Sequence, residues 1–195
     1  GRAPVSDGLG LEALVVACER GFISIDDRCR TSIQSIYAVG DITGRQQLAH
    51  VASAQGVVAA ENIMGHDSRI DYSVVPACVF TDPEAASVGV TEKEASEKGL
   101  SFKIGRFPFR ALGKAQADGE LDGLVKVIGD SGSGRILGVH VVGAGASELI
   151  AEAAAAMKLG ACVESLVDCI HAHPTLPEAF KEALEDLEGR AIHLP

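Results

Sequence analysis

Near its C-terminal end the chain reads His171-Ala-His-Pro-Thr-Leu-Pro-Glu178. Histidine titrates near neutral pH, so it can take up a proton and return it. Pro174 disfavours helical geometry at the residue before it, so His173 is expected to be extended. A glutamate that accepts from one ring nitrogen would fix the tautomer and favour the charged imidazolium. The stretch therefore predicts a histidine–glutamate acid–base pair that involves Glu178.

The same stretch has a structural interpretation. Thr175 and Glu178 have the spacing of a capping box, in which the glutamate only holds backbone donors at the start of a helix. Either histidine could be a polar residue near the surface with satisfied hydrogen bonds. Motifs this short also match by chance. From the local sequence alone, both interpretations stay open.

A longer stretch, His171 to Ala183, carries a resemblance. It reads His-Ala-His-Pro-Thr-Leu-x-Glu-Ala-Phe-x-Glu-Ala and resembles the C-terminal signature of dihydrolipoamide dehydrogenases, which are flavin-dependent pyridine nucleotide–disulfide oxidoreductases. The resemblance implies that His173 is the acid–base catalyst and that Glu178 orients it, which leaves His171 as the less favoured base. It also implies a cis peptide bond between His173 and Pro174.

A second segment, Thr31 to Asp41, reads Thr-Ser-Ile-Gln-Ser-Ile-Tyr-Ala-Val-Gly-Asp. Residues 36–39 predict a short apolar strand that ends in a turn at Gly40 and Asp41. An acidic side chain at the carboxyl end of a strand is well placed to hold a sugar hydroxyl, although an aspartate in a turn is also common. The segment resembles the second flavin fingerprint of the family, which implies that Asp41 binds the ribitol of FAD.

An alanine-rich helix is predicted to follow and to end near Met64. A helix N-terminus offers free backbone donors and a positive dipole, which suit negative charge on a flavin ring. The resemblance implies flavin contacts there, mainly through the backbone, with a structural role for the histidine side chain. The residues concerned are Gln47, Leu48, Ala49 and His50. Gly1, in a Gly-Arg-Ala-Pro stretch that resembles the exit of the family's NAD domain, is a further candidate cofactor-binding residue.

The charge, the apolar runs and the cysteine spacing of the sequence argue against several classes of function. The formal net charge of −10 argues against a nucleic-acid partner, because phosphate binding needs clustered Lys and Arg. The sequence has no apolar run long enough for a bilayer and no signal peptide. Its five cysteines show neither the spacing of a redox-active pair nor that of a metal site. These features predict reduced, mostly buried thiols and a cytoplasmic protein, or a mitochondrial matrix protein in a eukaryote.

The order of predicted elements indicates an α+β fold after about residue 70. Strands are expected at 74–81, 86–90, 102–109, 121–128 and 135–142. Helices are expected from Thr91 to Gly99, over 146–159, from Ser165 and over 176–187. This arrangement resembles the interface, or dimerisation, domain of the family, with an antiparallel sheet and flanking helices. Residues 1–70 are assigned to the end of the NAD/FAD-binding α/β region, and 71–195 to the interface domain.

The resemblance implies a function. The chain is expected to be the C-terminal part of a homodimeric enzyme that uses FAD and NAD to oxidise dihydrolipoamide, with His173 serving the opposite subunit. The implied partner is the lipoyl-bearing acyltransferase of a 2-oxoacid dehydrogenase or glycine cleavage complex. This part alone is expected to be inactive. Two alternatives remain: a flavoprotein disulfide reductase like glutathione reductase, and a non-catalytic dimerisation module.

Overall fold

The computed structural model describes residues 2–194 and contains two compact units, of which the first ends at Tyr72 and the second begins at Ser73. Each unit has a buried hydrophobic cluster of its own. Gly1, a candidate cofactor-binding residue, lies outside the described residues.

The first unit is built around one long helix. Its elements are strands β1 (Cys18–Glu19) and β2 (Phe22–Ile23), a 3-10 turn (Asp41–Thr43) and helix α1 (Ala49–Ile63). The buried residues of α1 are Val51, Gln55, Val58, Ala59 and Asn62. They recur every three or four positions, so one face of the helix is covered and the rest stays accessible. The alanine-rich helix predicted from the sequence is confirmed.

The strand predicted over residues 36–39 is wrong. Only Tyr37 forms a β-bridge, with Arg30, and Asp41 begins the 3-10 turn directly after Gly40. The backbone of this segment folds back on residues 29–31: Thr31 N donates to Ile36 O, and Ala38 N donates to Cys29 O. Because a tight local loop uses these hydrogen-bonding groups, they do not form a continuous ladder.

The second unit contains an antiparallel sheet of five strands in the order β3-β4-β7-β6-β5. The strands are β3 (Ala77–Val79), β4 (Ala85–Gly89), β5 (Phe102–Pro108), β6 (Leu124–Asp130) and β7 (Ile136–Val142). The helices are α2 (Glu92–Glu97), α3 (Gly113–Asp118), α4 (Ala146–Lys158), α5 (Val163–Val167) and α6 (Glu178–Asp186). The predicted α+β class and antiparallel sheet are confirmed.

Alternate residues of the strands form the core. Val125 and Val127 of β6 face the same side as Phe107 of β5 and Val139 of β7, and all are buried with residues of α4 and α6. Every second residue of the strands is buried, and so is one face of α6. Both sets of side chains belong to the same hydrophobic cluster. Helix α6, which carries the candidate glutamate, is thereby fixed to the sheet.

Gly105 lets α6 approach β5 closely. A Cβ atom at this position would overlap the carbonyl oxygen of Ala183, and it would come within 2.9 Å of the backbone nitrogen of Leu187. Both of these atoms belong to the backbone of the α6 segment, so neither can move aside like a flexible side chain. The absence of a side chain at Gly105 therefore sets the distance between α6 and the sheet.

The structure corrects two details near the candidate site. Helix α6 begins at Glu178, two residues after the predicted start at Leu176, and its N-cap is Pro177 instead of Thr175. Helix α3 was not predicted, because six residues with Gly113 at the start give too short a periodic pattern. By contrast, the helix expected from Thr91 is present: Thr91 is the N-cap of α2 and forms both hydrogen bonds of a capping box with Glu94.

Candidate active site

His173 and Glu178 form a hydrogen-bonded pair. Nδ1 of His173 lies 2.9 Å from Oε1 of Glu178. The imidazole is 74% exposed, whereas the glutamate side chain is 21% exposed. Because an ionised carboxylate can only accept, the Nδ1 proton is the one shared with Glu178, and Nε2 is left as the basic nitrogen of the neutral ring. The pair thus presents a proton acceptor on an accessible surface.

The second carboxylate oxygen of Glu178 has a structural partner. The backbone N–H of Thr175 donates to Oε2 at 2.8 Å, while the Thr175 hydroxyl donates to Ala172 O. Half of the capping box is therefore formed, and the histidine pair exists beside it. The two interpretations of this stretch are not exclusive, because each uses a different oxygen of one carboxylate.

These hydrogen bonds outweigh the effect of burial on Glu178. Burial by itself raises the pKa of Glu178, but the Thr175 N–H, the His173 imidazole and the nearby His193 together hold that pKa below its usual value. A carboxylate that stays ionised keeps its acceptor for the imidazole over the whole range in which histidine titrates.

A cavity of about 230 Å³ surrounds the pair. The uncharged residues that line this cavity come from β5, from the 3-10 turn over 109–111 and from α3 with the residue before it. Gly113, the first residue of α3, faces the imidazole: a Cβ there would lie 3.7 Å from Cε1 of His173. The peptide bond between His173 and Pro174 is cis, as the resemblance implied.

His171 belongs to a different environment. Its Nε2 lies 2.9 Å from Oε1 of Glu152 on α4, and its Nδ1 lies 3.2 Å from the carbonyl oxygen of Cys169. Its side chain is only 10% exposed. Both ring nitrogens are thus engaged on a mostly buried ring, which fits a structural histidine and leaves His173 as the accessible one of the two.

A second histidine–glutamate pair, absent from the sequence predictions, lines the same cavity. Nδ1 of His193 lies 2.6 Å from Oε1 of Glu182, and Oε2 of Glu182 accepts from the backbone N–H groups of Ile192 and His193. The hydrogen bond and charge of Glu182 raise the pKa of His193. The four-residue spacing of Glu178 and Glu182 indicates one helix face, but no periodic signal connects a histidine in the following irregular segment to it.

Asp41 lies in the first unit, at the start of the 3-10 turn. Its Oδ2 is 3.5 Å from Nη1 of Arg2, and its side chain is 52% exposed. The backbone N–H of Gly40 donates to Oε1 of the fully buried Gln55 at 2.6 Å. Because α1 holds Gln55, this hydrogen bond fixes the turn that presents the Asp41 carboxylate.

The four residues Gln47 to His50 surround the N-terminus of α1. Leu48 is the N-cap and Ala49 the first helical residue, and among the described residues no side chain caps the helix. The carbonyl oxygen of Gln47 accepts from Nη1 of Arg2, the same nitrogen that lies near Asp41. Arg2 thus connects the aspartate turn and the helix start within the first unit.

The thiols show one departure from expectation. Only Cys29 is buried; Cys18 and Cys169 are exposed, and Cys78 and Cys162 are half-buried, so the prediction that most are buried is wrong. Burial and the nearby Asp26 and Asp27 raise the pKa of Cys29 to about 11. Across residues 2–194, no three His, Cys, Asp or Glu side chains are grouped as metal ligands, and no helix is long and apolar enough to cross a membrane.

Known proteins match the whole chain. The dimerisation-domain model of the pyridine nucleotide-disulphide oxidoreductases matches residues 75–184, and a pyridine nucleotide-disulphide oxidoreductase model matches residues 1–56. A dihydrolipoyl dehydrogenase of Haloferax volcanii is 50% identical over 99% of this chain and 41% of that protein. One of Thermus scotoductus is 49% identical over 100% of this chain and 42% of that protein.

A solved structure shows the same fold. LpdA from Mycobacterium tuberculosis superposes with a TM-score of 0.90 at 34% identity, over 96% of this chain and 41% of that one. The chain therefore spans about two fifths of the length of the relatives that it matches.

Proposed function

Because the chain belongs to the pyridine nucleotide–disulphide oxidoreductase family, we propose that it is the C-terminal part of a dihydrolipoyl dehydrogenase that oxidises dihydrolipoamide with FAD and NAD. In this proposal residues 1–70 complete the cofactor-binding region and residues 71–195 form the interface domain. The observation that carries the proposal is the His173–Glu178 pair: an exposed imidazole whose Nδ1 is held at 2.9 Å by a carboxylate.

The role of His173 is proton transfer with a substrate thiol. Thiolates attack disulfides and thiols do not, so a base that removes the thiol proton speeds exchange at neutral pH. Neutral His173 takes that proton on Nε2, and Glu178 stabilises the imidazolium that forms. The same imidazolium returns the proton in a later step. A well-placed general base of this kind contributes about 10²–10⁴ in rate.

The first unit has features that suit a flavin. Asp41 offers an exposed carboxylate for a ribitol hydroxyl, and the uncapped start of α1 at Leu48 and Ala49 offers backbone donors for a partly negative ring. Gln47 and His50 flank that helix start. A bound FAD would supply the electron transfer between dithiol and NAD. The chain's own residues bind and orient it.

The matched family model supports a dimer, because it describes the dimerisation domain. We propose a homodimer in which His173 serves the active site of the opposite subunit, and a lipoyl-bearing acyltransferase of a 2-oxoacid dehydrogenase or glycine cleavage complex as the partner. Five free cysteines suit a reducing compartment, which we propose to be the cytoplasm, or the mitochondrial matrix in a eukaryote.

The test uses the longest form of the gene product. We expect a yellow homodimer that reduces NAD⁺ with dihydrolipoamide and loses that activity on His173→Ala. A protein that reduces glutathione disulfide instead would identify a related disulfide reductase. A colourless dimer without either activity would identify a dimerisation module and would overturn the proposal.

A further inference from the structure

The segment after α6 returns to the candidate site and is held there by a buried carboxylate. Glu182 is 6% exposed, yet it accepts three hydrogen bonds, all from Ile192 and His193. Two of them come from backbone N–H groups and one from the imidazole of His193. These three donors satisfy a carboxylate that burial would otherwise leave without hydrogen-bond partners. These contacts fix His193 beside α6.

The two histidine–glutamate pairs share one cavity. His173, Glu178, Glu182 and His193 all line the same space of about 230 Å³. Glu178 and Glu182 are four residues apart on α6, so their side chains leave the same face of the helix. The His193 imidazole itself is 66% exposed, which places its charge at the cavity mouth instead of in the core.

The charges that face His193 can be counted. From α6 come Glu178, Glu182 and Glu185, and from the loop before α6 comes His173. The lining contributed by β5, the 3-10 turn and α3 is uncharged: Phe107, Ala111, Leu112, Gly113 and Gln116. Lys181, the nearest cation on α6, lies 3.9 Å from Glu185 Oε1.

We propose that His193 is a positioning residue of the candidate dyad: it offsets the charge of Glu182 in the shared cavity, so that His173 responds mainly to its own partner, Glu178. This inference rests on the proposed function, in which His173 must both accept a proton and give it back. Without the charge of His193, two carboxylates on one helix face would hold the proton on His173. The imidazole would then be a poorer base at neutral pH.

The electrostatic role has a signature that a structural role lacks. Replacement of His193 by glutamine removes a positive charge from the shared cavity, so the titration midpoint of His173 should move to higher pH than in the wild type. His193→Lys keeps a positive charge and should leave the midpoint near the wild-type value. Glu182→Gln removes a negative charge, so it should move the midpoint to lower pH or leave it unchanged.

The experiment is an NMR titration of the full-length flavoprotein labelled with ¹³C in the histidine Cε1 position. The signal of His173 is assigned by its loss in His173→Gln. Glu152→Gln is the matched control, since Glu152 pairs with His171 at 2.9 Å as Glu182 pairs with His193, but does not line this cavity. The pH profile of kcat/KM for dihydrolipoamide is recorded beside the titration.

The inference is supported if the titration midpoint of His173 rises in His193→Gln, does not rise in Glu182→Gln and does not change in Glu152→Gln. Equal shifts in His193→Gln and His193→Lys, or shifts of the same sign in His193→Gln and Glu182→Gln, would overturn it in favour of a merely structural segment. If His193→Gln does not fold, His193→Asn removes the same charge, keeps a donor near the position of Nδ1, and takes its place in the comparison with His193→Lys. Because the titration needs no turnover, a protein without dihydrolipoamide activity would overturn the proposed function alone.

Discussion

Glu178 binds His173 from the first residue of α6, with Oε1 at 2.9 Å from Nδ1, while its other oxygen holds the backbone N–H of Thr175 at 2.8 Å. One carboxylate thus fixes both the imidazole and the turn that carries it. A change in this side chain is expected to affect chemistry and local structure together, and the two effects can be separated by the choice of substitution.

Glu178→Gln separates them by removing the charge and keeping the shape. The amide oxygen can still accept from Thr175, but a neutral group stabilises the imidazolium of His173 much less. We expect turnover of dihydrolipoamide by the full-length enzyme to fall about 10²-fold, while the variant stays folded and loses only the stability that the Glu178 carboxylate contributes. Wild-type turnover between pH 6 and pH 8, in a well-folded variant, would contradict the assignment of Glu178.

His173→Gln and His171→Gln form a matched pair two residues apart. We expect the first to reduce kcat/KM by about 10²–10⁴, because the accessible base is lost. We expect the second mainly to lower thermal stability, because His171 is 10% exposed and its loss leaves Glu152 unpaired. Steady-state kinetics and a thermal melt of each variant make the comparison. An equal loss of kcat/KM in both variants would contradict the distinction between a catalytic His173 and a structural His171.

Acid should weaken the fold through Glu178. Its pKa in the folded protein lies below the usual value, so the stability it contributes is full above the unfolded pKa of about 4.3 and is lost as the pH falls through the folded value. We expect the difference in unfolding free energy between wild type and Glu178→Gln to shrink as the pH falls below about 5, where histidine is already protonated and the Glu178 carboxylate is the group that titrates. Urea unfolding at several pH values below about 5 measures this difference, and a difference that grows as the pH falls through that range would contradict the prediction.

Gly105→Ala should disturb the contact between α6 and β5. The added methyl group would overlap backbone atoms of Ala183, and overpacking of this kind costs about 1–3 kcal/mol. Gly132→Ala is the control, because the nearest atom to its new methyl group would be Oδ1 of Asp130 at 3.6 Å, an ordinary contact. Chemical denaturation of both variants tests the prediction, which fails if Gly105→Ala is as stable as Gly132→Ala.

Asp41→Asn should weaken flavin binding by the full-length protein. A hydrogen bond to a charged acceptor contributes about 1.5–3 kcal/mol, so we expect the FAD dissociation constant to rise about 10- to 100-fold. Asp67→Asn is the control, since Asp67 pairs with Arg28 on an exposed surface. Flavin release followed by fluorescence compares the two, and equal retention would remove Asp41 from the candidate cofactor site.

The helices and strands that could be predicted from the sequence are those whose apolar residues recur at regular spacing. The buried faces of α1 and α4 and the alternation of β6 and β7 are long patterns with clear ends, and the structure has these elements close to the expected bounds. Residues 36–39 form a loop and not the predicted strand, because four apolar residues in a row fit a tight loop as well as a strand. Short segments carry too few residues for their period to decide.

The candidate site was predictable in part for a similar reason. His173 and Glu178 are five residues apart, so local sequence was enough to suggest their pairing, and the resemblance chose between the two histidines. The contact of Glu182 with His193 spans eleven residues, from a helix into an irregular segment. Its partner is selected by the three-dimensional return of the chain, which no local pattern encodes.

The bare backbone at Gly105 has a consequence for genetics. Substitutions that inactivate such a protein need not alter any residue that handles protons. A single methyl group at this position of the sheet has no polar chemistry of its own, yet it would displace α6, the helix that carries both Glu178 and Glu182. A screen for loss-of-function alleles should therefore recover positions on β5 alongside the histidine and the glutamates.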